Sequence, residues 1–344
     1  MKRPGLTTAL STLFDTSTCA QKGLCPVTAI RHQSEPMESH SLYYEVHGRG
    51  PEHLVFIMGL NSSCFAWLSQ VQHFGLMSEY TMVVFDNRGV GHSGVPRGPY
   101  TYCLFSSSAL SSADLFSTSG MAEDAIVLID HLGWKAKRDL HVVGVSLGGM
   151  IAQELATRIP DRIASLTLAV TTPGGAPWTN LPPWKGAISL ARLMVTADVE
   201  LKIPLILEMV YPLRWLDEPA KGDSEGRSNR EYQTVLYRQR IAATAPQRLI
   251  GALSQMSAGL THHVTAQRLQ RISETIPKVL IVTGDDDNLV SPVNSRYIKN
   301  CMPDAEFEEW EDTGHALHVQ QPQKFNALLE RVFKEGRRKA GPSH

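Results

Sequence analysis

Short apolar runs alternate with longer stretches of helical periodicity from about residue 40 onward. The short runs are rich in Val, Ile, Leu or Tyr, and several are apolar at consecutive rather than alternate positions. Consecutive apolar positions are typical of strands that are covered on both faces in a parallel sheet. The pattern predicts strands at residues 41–46, 54–58, 82–85, 140–145, 166–170 and 279–283, with a further strand-like run at 306–310.

The intervening stretches predict helices. Residues 121–132 repeat apolar side chains at helical spacing and stop at Gly133, and residues 150–159 end before Pro160. A final helix is predicted over 322–339, where a basic end suits a helix C-terminus. Alternating β and α units predict an α/β fold, with a doubly wound, mostly parallel sheet and helices on both faces.

One long segment breaks this alternation. Residues 173–276 contain no convincing strand but several helical runs, punctuated by Pro and Trp. A helical block inserted between two strands predicts a cap over the sheet. The predicted organisation is therefore an N-terminal arm (1–39), a first part of the core (40–172), the helical cap (173–276) and a second part of the core (277–344).

Two segments have an unusual composition. The N-terminal arm is poor in acidic residues, and we expect it to be poorly ordered, with a mitochondrial transit peptide as the alternative. Residues 102–120 carry seven serines, and such a composition buries too little apolar surface to order itself. A disordered or mispredicted insertion is favoured there over an ordered lid loop.

Composition and charge exclude several classes of function. The chain has 33 Lys and Arg against 34 Asp and Glu, a net charge of −1, so it has no broad positive field for nucleic acid. Its five cysteines are scattered and form no CxxC pair, which argues against a disulfide framework or a zinc site. No apolar run approaches the ~18 residues of a membrane span. We expect a cytoplasmic protein that acts on a small molecule, and its oligomeric state is not determined by these features.

The strongest chemical signal is the run Gly144-Val145-Ser146-Leu147-Gly148. An apolar strand leads into this run and a helix leads out, which is the setting of a nucleophilic serine on a tight strand-to-helix turn. Glycine suits both ends, because side chains there would collide with neighbouring backbone as the chain reverses around Ser146.

A serine hydroxyl is a weak nucleophile that needs an adjacent base, itself oriented by an acid. Three consecutive aspartates, 285–287, follow the predicted strand 279–283 and are candidates for the acid. His315 follows the run 306–310 and is preferred over His318 as the base. Both positions lie just beyond strand ends, where α/β sheets build their sites. The adjacent His262 and His263 are interpreted as structural histidines of the cap.

An acyl-transfer site must also stabilise the oxyanion, usually with two backbone N–H groups. One donor is expected from Leu147, the residue after the nucleophile, and the other from Leu60, in the loop after the strand at 54–58. Met58 and Gly59, in the same loop, are expected to line the substrate pocket.

These motifs together resemble the α/β-hydrolase superfamily over about residues 40–335. The resemblance is carried by Met58-Gly59-Leu60, the run DNRGVGHSG at 86–94, the Ser146 turn, the aspartate turn and Gly314-His315. It implies that the acid stands three residues after the strand-terminal glycine, which is Asp287, with Asp285 and Asp286 in capping or loop roles. It also implies that residues 86–88 form a structural turn. The chain departs from many members at Met58, where they have His before the glycine.

The resemblance implies a serine hydrolase of the esterase type. Epoxide hydrolases and haloalkane dehalogenases carry an aspartate where this chain has Ser146. We expect cleavage of a carboxylic ester, thioester or lactone of a small apolar substrate, with Ser146, Asp287 and His315 as the triad and no metal or cofactor. Alternatives are C–C bond hydrolysis, acyl transfer or perhydrolysis on the same triad, and a non-catalytic ligand-binding receptor. A purely structural protein is the least favoured.

Overall fold

A single mixed sheet forms the centre of the computed structural model, which describes residues 10–27, 39–96, 117–176 and 180–341. Its strands are β1 (Cys19–Val27), β2 (His40–Gly48), β3 (Glu52–Ile57), β4 (Tyr80–Phe85), β5 (Leu140–Val145), β6 (Ile163–Ala169), β7 (Lys278–Gly284) and β8 (Glu306–Trp310). They lie in the order β1-β2-β4-β3-β5-β6-β7-β8. β2 pairs antiparallel with β1 and β4, and the pairs from β4 to β8 are parallel. The predicted doubly wound, mostly parallel sheet is confirmed.

Helices cover both faces of this sheet, and further helices lie in the segment between β6 and β7. They are α1 (Leu68–Phe74), α2 (Thr118–His131), α3 (Leu147–Arg158), α4 (Trp184–Val195), α5 (Val199–Val210), α6 (Leu213–Asp217), α7 (Asn229–Ala243), α8 (Leu249–Leu260), α9 (Ala266–Thr275), α10 (Pro292–Cys301), α11 (Leu317–Gln320) and α12 (Pro322–Ala340). Side chains of α2, α3, α9 and α10 share one apolar core with the sheet, and those of α1 and α12 share a second. β5 and β7 are buried at every position, as their continuous apolar runs predict.

The N-terminal arm is ordered where the structure describes it, so the expectation of poor order was wrong for residues 10–27. Phe14 is 4% exposed, and its ring meets those of Phe65 and His47 edge-on, at centroid distances of 5.2 and 5.0 Å. The hydroxyl of Thr18 lies 2.8 Å from His47 Nδ1. One buried aromatic ring and the pairing of β1 with β2 thus fix a segment that looks polar in sequence. Residues 1–9 and 28–38 lie outside the described ranges.

The serine-rich segment ends in ordered structure. The Ser117 side chain accepts a hydrogen bond from Gly120 N at 3.0 Å and caps α2, which begins three residues before the predicted start at 121. The Ser117 hydroxyl thereby accepts from one of the N–H groups that have no partner within the first turn of the helix, which favours helix formation there. The expectation of a disordered or mispredicted insertion was therefore wrong for residues 117–120, and residues 102–116 lie outside the described ranges.

Between β6 and β7 the described residues are helical apart from their connections. α5 and α6 share a small apolar cluster built on Ile203, Leu207, Tyr211 and Leu216, which packs against Ala316 and Val319 of the core. α9 instead lies against α3, where Arg268 donates to both carboxylate oxygens of Glu154 at 3.0 and 2.8 Å. In the described ranges, no helix is long and apolar enough to span a membrane.

Candidate active site

Ser146 occupies a strained backbone position between β5 and α3. Its φ of +58° and ψ of −122° lie outside the regions that residues with side chains favour. Four hydrogen bonds hold the residue there. Ser146 N donates to Ala169 O at 2.9 Å, and Ser146 O accepts from Gly149 N at 2.9 Å, from Met150 N at 3.2 Å and from Thr171 Oγ1 at 2.8 Å. Strain of this kind persists only where the surroundings impose it, and it is concentrated at functional sites.

Three glycines permit close contacts around Ser146. A Cβ atom on Gly144 would lie 2.4 Å from Gly148 O, and one on Gly148 would lie 2.1 Å from Ile57 O. The collisions expected for side chains at these positions are confirmed. A Cβ atom on Gly59 would lie 3.0 Å from the Cβ of Ser146. The serine turn is therefore packed directly against the loop that follows β3.

His315 and Asp287 form a buried pair at the same edge of the sheet. Nδ1 of the imidazole lies 2.8 Å from Oδ2 of the carboxylate, and the other carboxylate oxygen accepts from Leu289 N at 2.8 Å and Val290 N at 2.9 Å. The Asp287 side chain is fully buried. An ionised carboxylate only accepts hydrogen bonds, so it holds the imidazole proton on Nδ1 and leaves Nε2 as a proton acceptor.

The two neighbouring aspartates are placed differently. Asp285 is exposed and its Oδ1 accepts from Thr313 N at 3.1 Å, and Asp286 is exposed and accepts from the Asn288 side chain at 3.2 Å. Both therefore stabilise loops. Of the three aspartates, only Asp287 is buried and hydrogen-bonded to a histidine among the described residues.

His318 and His262 are buried, and neither forms an ion pair or hydrogen bond with an acid in the described part of the chain. The His318 ring packs against Trp67 at 4.8 Å, and burial lowers the pKa of His318 to about 3. His262 Nδ1 lies 2.8 Å from Thr118 Oγ1, and burial lowers the pKa of His262 to about 4. The His262-His263 pair lies in the connection between α8 and α9.

The two expected oxyanion donors, Leu147 and Leu60, belong to the two segments that meet at Ser146. Leu147 is the first residue of α3, so its backbone N–H has no acceptor within the helix. Leu60 lies in the loop after β3, where Asn87 Nδ2 donates to Met58 O at 2.8 Å and Cys64 N donates to Asp86 Oδ1 at 2.7 Å. The turn at 86–88 thus holds this loop from the core side, in keeping with its predicted structural role.

The helical block contacts the loop that carries His315. Ala316 N donates to Val210 O, at the end of α5, at 3.1 Å, and a Cβ atom on Gly314 would lie 2.6 Å from the same oxygen. From the core side, Gln320 Oε1 accepts from Gly314 N at 2.9 Å, and Gln320 Nε2 donates to Asp312 O at 2.7 Å. The histidine loop is therefore held by both parts of the molecule.

The contacts of Gln255 and Gln320 were not predicted from the sequence. Gln255 is fully buried in α8, and its Oε1 accepts from Asn61 N at 2.8 Å. The available signal was a polar residue in the middle of the apolar run LIGALSQMSAGL. A buried polar residue normally has a hydrogen-bond partner. Here the partner lies far away along the chain, so the sequence of α8 alone does not identify it.

Comparison with known proteins agrees with this architecture. A family model described as alpha/beta hydrolase fold matches residues 52–322. RutD of Caulobacter segnis, a candidate carbamate hydrolase, is 27% identical over 302 residues, covering 85% of this chain and 96% of the relative. The 3-oxoadipate enol-lactonase 2 of Acinetobacter baylyi is 25% identical over 281 residues, covering 82% and 88%. A thermophilic esterase structure from Thermogutta terrifontis has a TM-score of 0.65 at 19% identity, covering 92% and 99%.

The chain belongs to the alpha/beta hydrolase fold family, because the family model matches well over half of its length. The family match and the names of the relatives support a hydrolase activity. The structural likeness, at 19% identity, establishes the fold alone.

Proposed function

We propose that this protein is a serine hydrolase that cleaves a carboxylic ester, thioester or lactone of a small apolar substrate through an acyl-enzyme. The observation that carries the proposal is the strained Ser146 at the end of β5, on the sheet edge that also holds the buried His315–Asp287 pair. Strand ends at one edge of a parallel sheet are where α/β proteins assemble a site from distant parts of the chain.

In the proposed reaction, Ser146 Oγ attacks the carbonyl carbon while His315 Nε2 accepts its proton. Asp287 keeps the imidazole oriented and stabilises the imidazolium that forms. The N–H groups of Leu147 and Leu60 donate to the developing oxyanion. His315 then protonates the leaving group, and a water activated by the same imidazole releases the acid. The Ser146 hydroxyl has no hydrogen bond among the described residues, and a serine–histidine contact often tightens only when substrate is bound.

Apolar surroundings support the proposed substrate class. Met58 and Leu147 are buried beside the serine turn, and a Cβ atom on Gly259 of α8 would lie 3.8 Å from a Leu147 methyl group. A site enclosed by such side chains favours an acyl or aromatic group over a charged one. Met58 and Gly59 are proposed to line this pocket, and the proposed chemistry uses no metal or cofactor.

Labelling and turnover of Ser146→Ala test the proposal. Wild type should hydrolyse p-nitrophenyl acetate and react with a fluorophosphonate probe, and the variant should lose both. Ser273→Ala is the matched control, because the Ser273 hydroxyl has no hydrogen-bond partner in the described part of the chain and lies on α9. Equal labelling of wild type and Ser146→Ala would remove Ser146 from its proposed role.

A carbamate is the second candidate substrate, because the relative RutD is named for carbamate hydrolysis. The same serine attack would apply: the alcohol leaves, water releases carbamic acid from the carbamoyl-enzyme, and carbamic acid breaks down to ammonia and CO2. Parallel assays of p-nitrophenyl acetate and an N-unsubstituted alkyl carbamate, the latter followed by ammonia release, distinguish the two. Faster Ser146-dependent turnover of the carbamate would favour this second function.

A further inference from the structure

A buried glutamine of the helical block is bonded to the loop that carries Leu60. Gln255, in the middle of α8, is 0% exposed and uses both ends of its carboxamide. Oε1 accepts from Asn61 N at 2.8 Å, and Nε2 donates to Arg88 O at 2.9 Å. α8 lies close enough for this because Gly251, one turn earlier, has no side chain: a Cβ atom there would lie 2.7 Å from Gly89 O.

The bond to Asn61 fixes one of three consecutive peptide planes. The plane that contains Met58 O is held from the core by Asn87 Nδ2, at 2.8 Å. The plane that contains Asn61 N is held by Gln255. Between them lies the plane that contains Leu60 N–H. Since the peptide unit is planar and only two dihedral angles per residue are soft, fixing both neighbouring planes restricts the direction of the Leu60 N–H.

Asn61 itself needs this support. Its φ of +53° is a conformation that asparagine tolerates but does not prefer. Its side-chain Oδ1 accepts from Gln247 Nε2 at 2.9 Å, and Gln247 also donates to Gly89 O at 3.2 Å. Two glutamines of the helical block therefore hold Asn61 by its backbone and its side chain.

We infer that Gln255 is a positioning residue that aims the Leu60 N–H at the oxyanion, so that the oxyanion site is complete only when α8 is seated on the core. The inference rests on the proposed function and adds to it a requirement on the helical block. Gln255 touches no reacting atom, and it acts through the backbone of Asn61. An oxyanion donor matters only once negative charge develops, so its misdirection lowers kcat and leaves KM nearly unchanged.

Two substitutions separate positioning from space filling. Gln255→Met keeps the volume but loses both hydrogen bonds, and Gln255→Glu keeps the acceptor for Asn61 N–H but loses the donor to Arg88 O. If Gln255 is a positioning residue, kcat should fall about 10- to 100-fold in Gln255→Met, which is less than the ~10²–10³-fold fall caused by losing a donor outright. The fall in kcat should be smaller in Gln255→Glu. Space filling predicts the reverse order, because Met suits a buried site and a carboxylate does not.

The experiment measures kcat and KM for p-nitrophenyl acetate and the inhibition constant of phenylboronic acid, whose serine adduct places an oxygen in the oxyanion site. The boronate constant should rise in step with the fall in kcat. Gln233→Met is the matched control, a buried glutamine of α7 whose Oε1 accepts a long bond of 3.4 Å from the Tyr211 hydroxyl. It should leave both quantities unchanged.

Two results would overturn the inference and leave Ser146-dependent turnover intact. One is a wild-type kcat and boronate affinity in the Gln255→Met variant, and the other is a higher activity in Gln255→Met than in Gln255→Glu. Turnover that persists in Ser146→Ala would overturn the proposed function and this inference with it. If the Met variant fails to fold, Gln255→Glu decides alone: parallel losses of kcat and boronate affinity at constant KM support positioning, and wild-type values of both contradict it.

Discussion

Asp287 divides its carboxylate between His315 and its own turn. One oxygen lies 2.8 Å from the imidazole Nδ1, and the other accepts two backbone N–H groups from Leu289 and Val290. The backbone bonds fix the direction of the carboxylate, so the imidazole is oriented by a group that cannot rotate. This division distinguishes Asp287 from the two exposed aspartates beside it.

Asp287→Asn should preserve the shape of this pair and abolish its function. The amide can hold the imidazole in the wrong tautomer and cannot stabilise an imidazolium, so we expect kcat to fall by about 10²–10⁴. Asp286→Asn is the control, since the Asp286 carboxylate hydrogen-bonds only with the Asn288 side chain in the described residues, and it should retain activity within about twofold. Steady-state hydrolysis of p-nitrophenyl acetate measures both, and loss of activity in Asp286→Asn alone would reassign the acid.

Gly59→Val should impair the reaction by crowding the serine. The first added carbon would lie 3.0 Å from the Ser146 Cβ and 3.2 Å from Val145 O. The loop must shift to relieve these contacts, which displaces the Leu60 N–H, and we expect a kcat loss of about 10²–10³. Gly23→Val, on β1, is the control because the nearest atoms to its added carbon belong to the Tyr44 side chain, at 3.6 Å or more. Full activity in Gly59→Val would exclude this loop from the oxyanion site.

Phe14→Ala should destabilise the whole fold although residue 14 lies near the N-terminus. The buried ring contacts Phe65 and His47, and its loss leaves a cavity that costs about 3 kcal/mol of unfolding free energy. Urea unfolding followed by tryptophan fluorescence measures the change. Leu24→Ala, at a half-exposed position of β1, should change it by less than about 1 kcal/mol. Equal effects of the two substitutions would mean that the arm does not contribute to the core.

His262 should make the protein less stable in mild acid. Burial lowers its pKa from 6.5 to about 4, so between these values the unfolded chain binds a proton that the folded chain does not. The free energy of unfolding should therefore fall as the pH drops from about 6.5 to about 4, by about 3 kcal/mol in total. His262→Gln should reduce this slope in urea titrations at graded pH. Part of the pH dependence of the unfolding free energy should remain in this variant, because the lowered pKa of His318 acts in the same direction. The same pH dependence in His262→Gln as in wild type would contradict the assignment to His262.

The central strands and the serine turn were predictable because their signals are local. β5 coincides with the predicted run 140–145, and Ser146 adopts the conformation that its flanking glycines indicate. That His315 meets one of the aspartates 285–287 followed from their places after strands, because parallel strands end at a common edge. The choice of Asp287 among the three came from the family resemblance. The catalytic roles of these residues remain predictions.

The remainder depended on contacts between distant parts of the chain. β1 shows little apolar periodicity, with only Cys25 and Val27 buried, and it is defined by its pairing with β2. Phe14 is one aromatic residue in a polar segment, and its burial depends on a pocket formed by Phe65 and His47. The role inferred for Gln255 likewise depends on its hydrogen bond with Asn61, which lies almost two hundred positions earlier in the chain.

The contacts of α5 and α8 limit how this molecule can acquire a new substrate. Val210 O holds the loop that carries His315, and Gln255 holds the loop that carries Leu60. A chimaera that carried the equivalent helices of a relative would lose both anchors unless the donor supplied them at matching positions. Substrate specificity should therefore change more readily through single substitutions of side chains that face the pocket than through replacement of whole helices of this block.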